Sequence, residues 1–285
     1  MRRFLSTMTQ ARPKRFAPLK GATAEHHDWP KLKGVIFDVD GTLCQPQNHM
    51  FAQMRSVLQI PKSVDILEHI YSLPTASEQE SAMESIRAIE RVSMAQQVAQ
   101  PGLAELMAYL DRHRVPKGIC TRNFEQPVTH LLTKFLAGSV FHPVVTRDFR
   151  PPKPDPAGLL FIARSWGLTR RIEGEKDESA VKEVVRESAR SGEGEKEGAV
   201  GSGEVGDASG LIMVGDSIDD MTAGRRAGAA TVLLVNDANR HLAEHEHTDL
   251  VIERLDELMH VLEHGFVGSY LDDFTSIKTK YLSQE

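Results

Sequence analysis

The chain has 285 residues, 40% of them hydrophobic and 26% charged, and a formal net charge of −6. That length supports one sizeable core and a smaller one, and the acidic balance gives no general ground for nucleic-acid binding. No apolar run reaches the ~18–20 residues needed to span a membrane, and the two cysteines, Cys44 and Cys120, lack CxxC spacing and read as free thiols of a reducing compartment.

Residues 1–30 carry Arg2, Arg3, Arg12, Lys14, Arg15 and Lys20, with no acid before Glu25. This basic N-terminal tail resembles a mitochondrial transit peptide. A plain basic tail is an equal reading, so the compartment expected is the cytoplasm or the mitochondrial matrix. Val35, Ile36 and Phe37 then read as a buried strand that Gly41 ends. Such a strand presents Asp38 and Asp40 at its C-terminal end, where open α/β sheets place their ligand sites. Residues two apart in a strand point the same way. Two carboxylates so placed repel each other and call for a cation, a proton or both.

From about Gln45 to Gln100, apolar residues recur at helical spacing: Val64, Leu67, Ile70 and Tyr71, then Met83, Ile86, Ile89, Val92, Ala95 and Val98. Pro61 and Pro74 bound the first of these helices. Pro101-Gly102 precede a further helix with Leu103, Leu106, Met107 and Leu110 on one face. Lys117 to Cys120 is a short strand ending in Thr121, followed by Arg122 and Asn123, and Val144 to Thr146 is another strand. Pro151, Pro152, Pro154 and Pro156 hold the backbone extended around Lys153 and fix the point from which it projects; Asp155 reads as a turn or cap residue. The stretch 173–210 is rich in Gly, Glu, Lys and Ser and has no aromatic residue. It is expected to be a disordered low-complexity insertion, with a transient helix over 182–190, at the end of the sheet away from Asp38. Leu211 to Val214 is a buried strand leading to Asp216, Asp219 and Asp220. Thr231 to Val235 and an edge strand over Leu250 to Ile252 follow. His241, His245 and His247 look like a metal cluster, but no further donor is spaced to complete one, which favours a solvated helix end. Residues 266–285 read as a C-terminal tail.

Four of these segments occur in a telling order: Asp38-Val39-Asp40-Gly41-Thr42-Leu43, the strand ending in Thr121, Lys153-Pro154-Asp155-Pro156, and Gly215-Asp216-Ser217-Ile218-Asp219-Asp220. Together they resemble the four motifs of the haloacid dehalogenase-like (HAD) hydrolase superfamily. The resemblance implies an α/β fold, a Rossmann-like three-layer sandwich with a parallel sheet, built from residues 31–44 and 101–265. A small all-α cap over residues 45–100 would be inserted after the first motif and act as a lid. It further implies Mg2+ held by Asp38, the Asp40 carbonyl, Asp216 and Asp220. Asp38 would be the nucleophile that forms an aspartyl phosphate, Asp40 the general acid and base, and Thr121 and Lys153 would hold and neutralise the phosphoryl group. Arg122 and Asn123, directly after Thr121, are candidates to bind substrate; Arg55 is either a weaker candidate or a helix-surface charge, and Asp219 is expected to point elsewhere. The activity implied is a magnesium-dependent phosphatase for a small phosphate ester, such as a sugar phosphate, phosphoglycolate or a nucleoside monophosphate. A phosphomutase and a non-enzymatic binding module are the alternatives. Neither a nucleic-acid nor a membrane partner is expected, and the oligomeric state is left open.

Overall fold

The computed structural model describes residues 13–21, 24–171 and 204–268. In chain order its strands are Arg15–Phe16 (β1), Gly34–Phe37 (β2), Lys117–Cys120 (β3), Val144–Val145 (β4), Thr169–Arg171 (β5), Glu204–Gly206 (β6), Leu211–Gly215 (β7), Ala230–Leu234 (β8), Leu250–Ile252 (β9) and Phe266–Val267 (β10). The helices are Asn48–Leu58 (α1), Ile66–Ser72 (α2), Ala76–Ala95 (α3), Leu103–Arg112 (α4), Glu125–Phe135 (α5), Ala157–Ser165 (α6), Ile218–Ala227 (α7) and Glu257–His264 (α8).

Six strands form one parallel sheet in the order β4-β3-β2-β7-β8-β9. All of Val35, Ile36 and Phe37 are buried, because helices cover both faces and the strand has no solvent side. Their alternation still sorts them. Val35 and Phe37 join a cluster with Leu106, Leu110, Leu131 and Val261 from α4, α5 and α8. Ile36 joins Leu159, Ile162 and Ala223 from α6 and α7. The result is the three-layer α/β sandwich read from the sequence. The strand order reverses between β2 and β7, which places Asp38 and Asp216 at a topological switch point, the position where such sheets bind ligands.

Helices α1 to α3 lie between β2 and α4 and share their own cluster of Met50, Met54, Ile70, Met83 and Ile86, joined by Phe124. Thr75 and Glu78 form a capping box that starts α3. The sequence reading has two helices here, and the structure has three. In α3, Met83 and Ile86 are buried as read, but Val92 is exposed while Glu90 and Ser93 are buried, and Val98 lies past the helix end at Ala95. A charged residue sits where apolar periodicity expects none, because Glu90 meets Arg147.

Three boundaries differ from the sequence reading. The tail expected over 1–30 includes β1, which pairs antiparallel with β10, itself inside the tail expected from residue 266. Phe16 is buried against Phe266, with ring centroids 5.6 Å apart; two short segments find each other through this apolar pair. The insertion expected over 173–210 includes β6, which pairs antiparallel with β5, and Ala208 is buried. Residues 172–203, with the helix expected over 182–190, lie outside the described residues, as do 1–12. The β5–β6 hairpin adjoins the sheet at the end away from Asp38: Lys33 N, just before β2, donates to Gly210 O, just before β7.

Two expectations follow. Phe16→Ala should destabilise the fold by about 3–5 kcal/mol, the usual range for a buried phenylalanine, measured by denaturant unfolding. Arg171 pairs directly with Glu204, so replacing 172–203 with Asn-Gly should leave the fold intact. An unchanged Tm in the shortened chain checks this.

Candidate active site

Asp38 stands one residue past β2, and its N–H donates to Val214 O of the neighbouring strand. The Lys153 ammonium, 3% exposed, donates to Asp38 Oδ1 at 2.7 Å and to Asp220 Oδ1. Asp220 is the third residue of α7 and forms a capping box with Ser217. Its Oδ2 accepts from Ser217 N at 3.0 Å and Oγ at 2.6 Å. Both of its oxygens are therefore engaged. Asn239 donates to the Asp216 carbonyl at 2.7 Å and fixes that turn. Gly41 has φ +84°, and a Cβ there would lie 2.1 Å from an Asp216 carboxylate oxygen. Only glycine admits both the turn and this approach.

Asp40 lies beside Asp38, and its Oδ1 accepts from Gln47 N at 3.1 Å. Burial pushes its carboxyl up to about 7, helped by the Asp38 charge. Burial likewise pushes Asp216 up to about 8, with Asp220 and Asp38 adding repulsion. Asp38 reaches about 6, burial outweighing the nearby ammonium. Burial works against the charge on Lys153, but Asp220 and Asp38 overcome it and hold the ammonium form. Carboxylates in this state lack positive charge. Ligand atoms of Asp38, Asp216 and Asp220 lie within 4.8 Å of one another, which among the described residues makes this the one convergent cluster of potential metal donors. Hard oxygen donors crowded in this way fit a divalent cation such as Mg2+. Asp38 and Asp216 are the freer two, since Asp220 is tied to Lys153 and Ser217.

The sequence-derived site residues other than the fully buried Asp220 meet at one cavity of about 1040 Å³, lined by Asp38, Asp40, Thr121, Arg122, Asn123, Lys153 and Asp216 on the sheet side and by α1 and the α1–α2 loop on the other. Thr121 is buried, and its Oγ1 accepts from Asn123 N at 3.2 Å. Arg122 does not stand free for a ligand. Its Nη1 donates to Asp219 Oδ2 at 2.9 Å and its Nη2 to Asp65 Oδ2. Asp219 thus points away from the carboxylate cluster, toward Arg122. Asp65 also caps α2, its Oδ1 accepting from Leu67 N at 2.9 Å and Glu68 N at 3.0 Å. A second arginine works alike: Arg147 donates to Glu90 Oε1 and to the Arg122 carbonyl, each at 2.8 Å. Asp65, Glu90 and Arg147 were not found from the sequence. Asp65 carries only an N-cap signal, and nothing local marks Glu90 or Arg147 as partners. The histidines take another role: His241 lies in a 3-10 turn over Arg240–Glu244, and His247 Nδ1 is 3.0 Å from Thr222 Oγ1.

A family model described as haloacid dehalogenase-like hydrolase matches residues 35–171, and a related HAD-hydrolase-like model matches 199–258. Over 235 residues the chain is 37% identical to an uncharacterized hydrolase of Saccharomyces cerevisiae, covering 81% of this chain and 90% of the yeast protein. The chain belongs to the haloacid dehalogenase-like hydrolases. A phosphoglycolate phosphatase of Pseudomonas savastanoi pv. phaseolicola is 27% identical over 165 residues, 57% of this chain and 46% of that protein. The crystal structure of a hydrolase from Pseudomonas syringae shares the fold with a TM-score of 0.54 at 22% identity, covering 81% of this chain and 98% of that one. No helix of this hydrolase, among the described residues, is long and apolar enough to cross a membrane.

Asp65→Asn keeps the cap of α2 but discharges one partner of Arg122. The pair is about one-third exposed, so its loss should cost under about 1 kcal/mol. Hydrogen exchange should quicken in α2 and leave β2 and β3 unchanged.

Proposed function

We propose that this hydrolase is a Mg2+-dependent phosphatase that cleaves a small phosphorylated metabolite through an aspartyl phosphate. The observation that carries the reading is the Lys153 ammonium against Asp38, with Asp40 and Asp216 alongside, at the floor of a cavity of small-molecule size. Asp38, whose Oδ1 accepts from Lys153, supplies the attacking carboxylate oxygen. It forms a bond to phosphorus as the ester P–O bond breaks. Asp40, with its carboxyl pushed up to about 7, gives its proton to the departing alkoxide. Water then attacks the same phosphorus, Asp40 takes the proton, and the bond to Asp38 breaks to release inorganic phosphate. Lys153 offsets the negative charge of the phosphoryl group, and the Thr121 hydroxyl donates to one of its oxygens. Asp38, the Asp40 carbonyl and Asp216 would hold Mg2+, with Asp220 supporting; when bound, the ion supplies positive charge to the phosphoryl oxygens. Residues 45–100 serve as the cap, above a core of 31–44 and 101–265. Asn123 remains a candidate substrate contact, whereas Arg122 is assigned to holding the cap.

The phosphoglycolate phosphatase relative supports the phosphatase reading and does not fix the substrate. Phosphate release from a panel of phosphate esters tests it. Release should need Mg2+, fall to background in Asp38→Asn, and drop by about 10²- to 10⁴-fold in Asp40→Asn, the usual worth of general acid–base catalysis. Full activity in Asp38→Asn would overturn the assignment. Transfer of the phosphoryl group to a second hydroxyl, with no free phosphate, would identify a mutase instead.

A further inference from the structure

Helix α1 turns one face to the cavity. Phe51, Ala52, Arg55, Ser56 and Gln59 recur at three- and four-residue spacing and all line it. Arg55 stands in the middle of that face, half-buried, with the small Ala52 and Ser56 beside it. Ile60, Ile66 and Leu67 make the surrounding wall apolar.

The cations on the sheet side are already engaged. Lys153 holds Asp38 and Asp220, Arg122 holds Asp65 and Asp219, and Arg147 holds Glu90. Arg55 has no carboxylate partner among the described residues. Its Nη1 makes one long contact of 3.4 Å with Phe51 O of its own helix, and its Nε is buried without an acceptor. Lys62, exposed at the rim of the same cavity, also has no ion-pair partner among the described residues. A guanidinium that lines a cavity with no carboxylate beside it is open to an anionic ligand at its outer nitrogens. The carboxylates of the floor repel any anionic group that a substrate carries beyond its phosphate. The α1 wall is therefore the part of the cavity where such a group is welcomed.

We propose that Arg55, aided by Lys62, forms a second anion site, and that the substrate is a phosphomonoester whose leaving group itself bears a carboxylate or a second phosphate. This inference rests on the phosphatase reading for its substrate but can be tested apart from turnover. Titration calorimetry with Mg2+ would compare 3-phosphonopropionate with propylphosphonate, which share a size and differ by a carboxylate in place of a methyl. Neither can be hydrolysed. Wild type should bind the carboxylate compound about ten- to a hundredfold more tightly, the worth of one charged hydrogen bond. Arg55→Gln should erase that preference, Arg55→Lys should restore part of it, and propylphosphonate should bind all three proteins alike. Propane-1,3-bisphosphonate, run beside them, tells a phosphate tail from a carboxylate one by which of the two binds more tightly. The matching phosphate esters, of 1-propanol and of 3-hydroxypropanoate, then give the kinetic form. Arg55→Gln should raise KM for the second by the same factor, with kcat nearly unchanged. Equal affinity of wild type for the neutral and both anionic-tailed phosphonates, or an equal loss of all of them in Arg55→Gln, would overturn the second anion site. If neither these two esters nor any member of the panel above releases phosphate, the phosphatase reading fails, and the phosphonate comparison still decides the role of Arg55.

Discussion

The site depends on one buried ammonium. Lys153 is nearly inaccessible, and so is Asp220, which it bonds. Taking both charges out of water is expensive, and their attraction offsets that only with good geometry and further hydrogen bonds. Here Ser217 supplies the further bonds to Asp220, and prolines on either side of Lys153 fix its starting point. The start of α7, the ammonium and Asp38 become a single unit. Removing the lysine would leave two carboxylates facing each other at the switch point of the sheet, beside two more that are already crowded.

The contact between α1–α3 and the sheet domain follows the same logic with the charges reversed. The sheet side offers guanidinium groups, and the helical side offers carboxylates, Asp65 to Arg122 and Glu90 to Arg147. The two connecting segments add backbone bonds: Gln45 N donates to Val98 O and Gln100 N to Leu43 O. Burial raises the Glu90 carboxyl to about 7 even with Arg147 adjacent, and the Arg147 guanidinium is lowered by the same burial. Burial works against the charged form of both partners, and their pairing works for it. For a pair this buried, desolvation offsets much of the attraction, so the pair adds less than its geometry alone suggests.

The sheet and its carboxylates were legible in the sequence because a parallel strand covered on both faces is a continuous apolar run, and β2 and β7 each end such a run at an acidic turn. The order of the four motifs then fixed their neighbourhood. What stayed hidden has physical reasons. Helix α1 starts at Gln47 without a side-chain cap, and its buried Met50 and Met54 make too short a stripe to announce it. In α3 the inward face includes Glu90, which breaks the apolar period where the helix meets Arg147. Strands β1 and β10 are two residues each, below any periodicity, and are specified by Phe16 meeting Phe266 from the far end of the chain. Arg122 lines the cavity, and its ion-pair partners there, Asp65 and Asp219, are distant in sequence and carried no local signal of the pairing.

The pairing of β1 with β10 brings Lys14 and Gly268 together, with Gly268 N donating to Lys14 O at 2.8 Å. The backbone of the described fold enters and leaves at one point, so it is topologically a near-closed ring. Arg171 and Glu204, facing each other across the β5–β6 hairpin, mark a second place where the ring is cheaply opened. The linear order of the four motifs is then a consequence of where the ring happens to be cut. What the core requires is adjacency of β2 and β7, and a circularly permuted chain would keep that adjacency untouched.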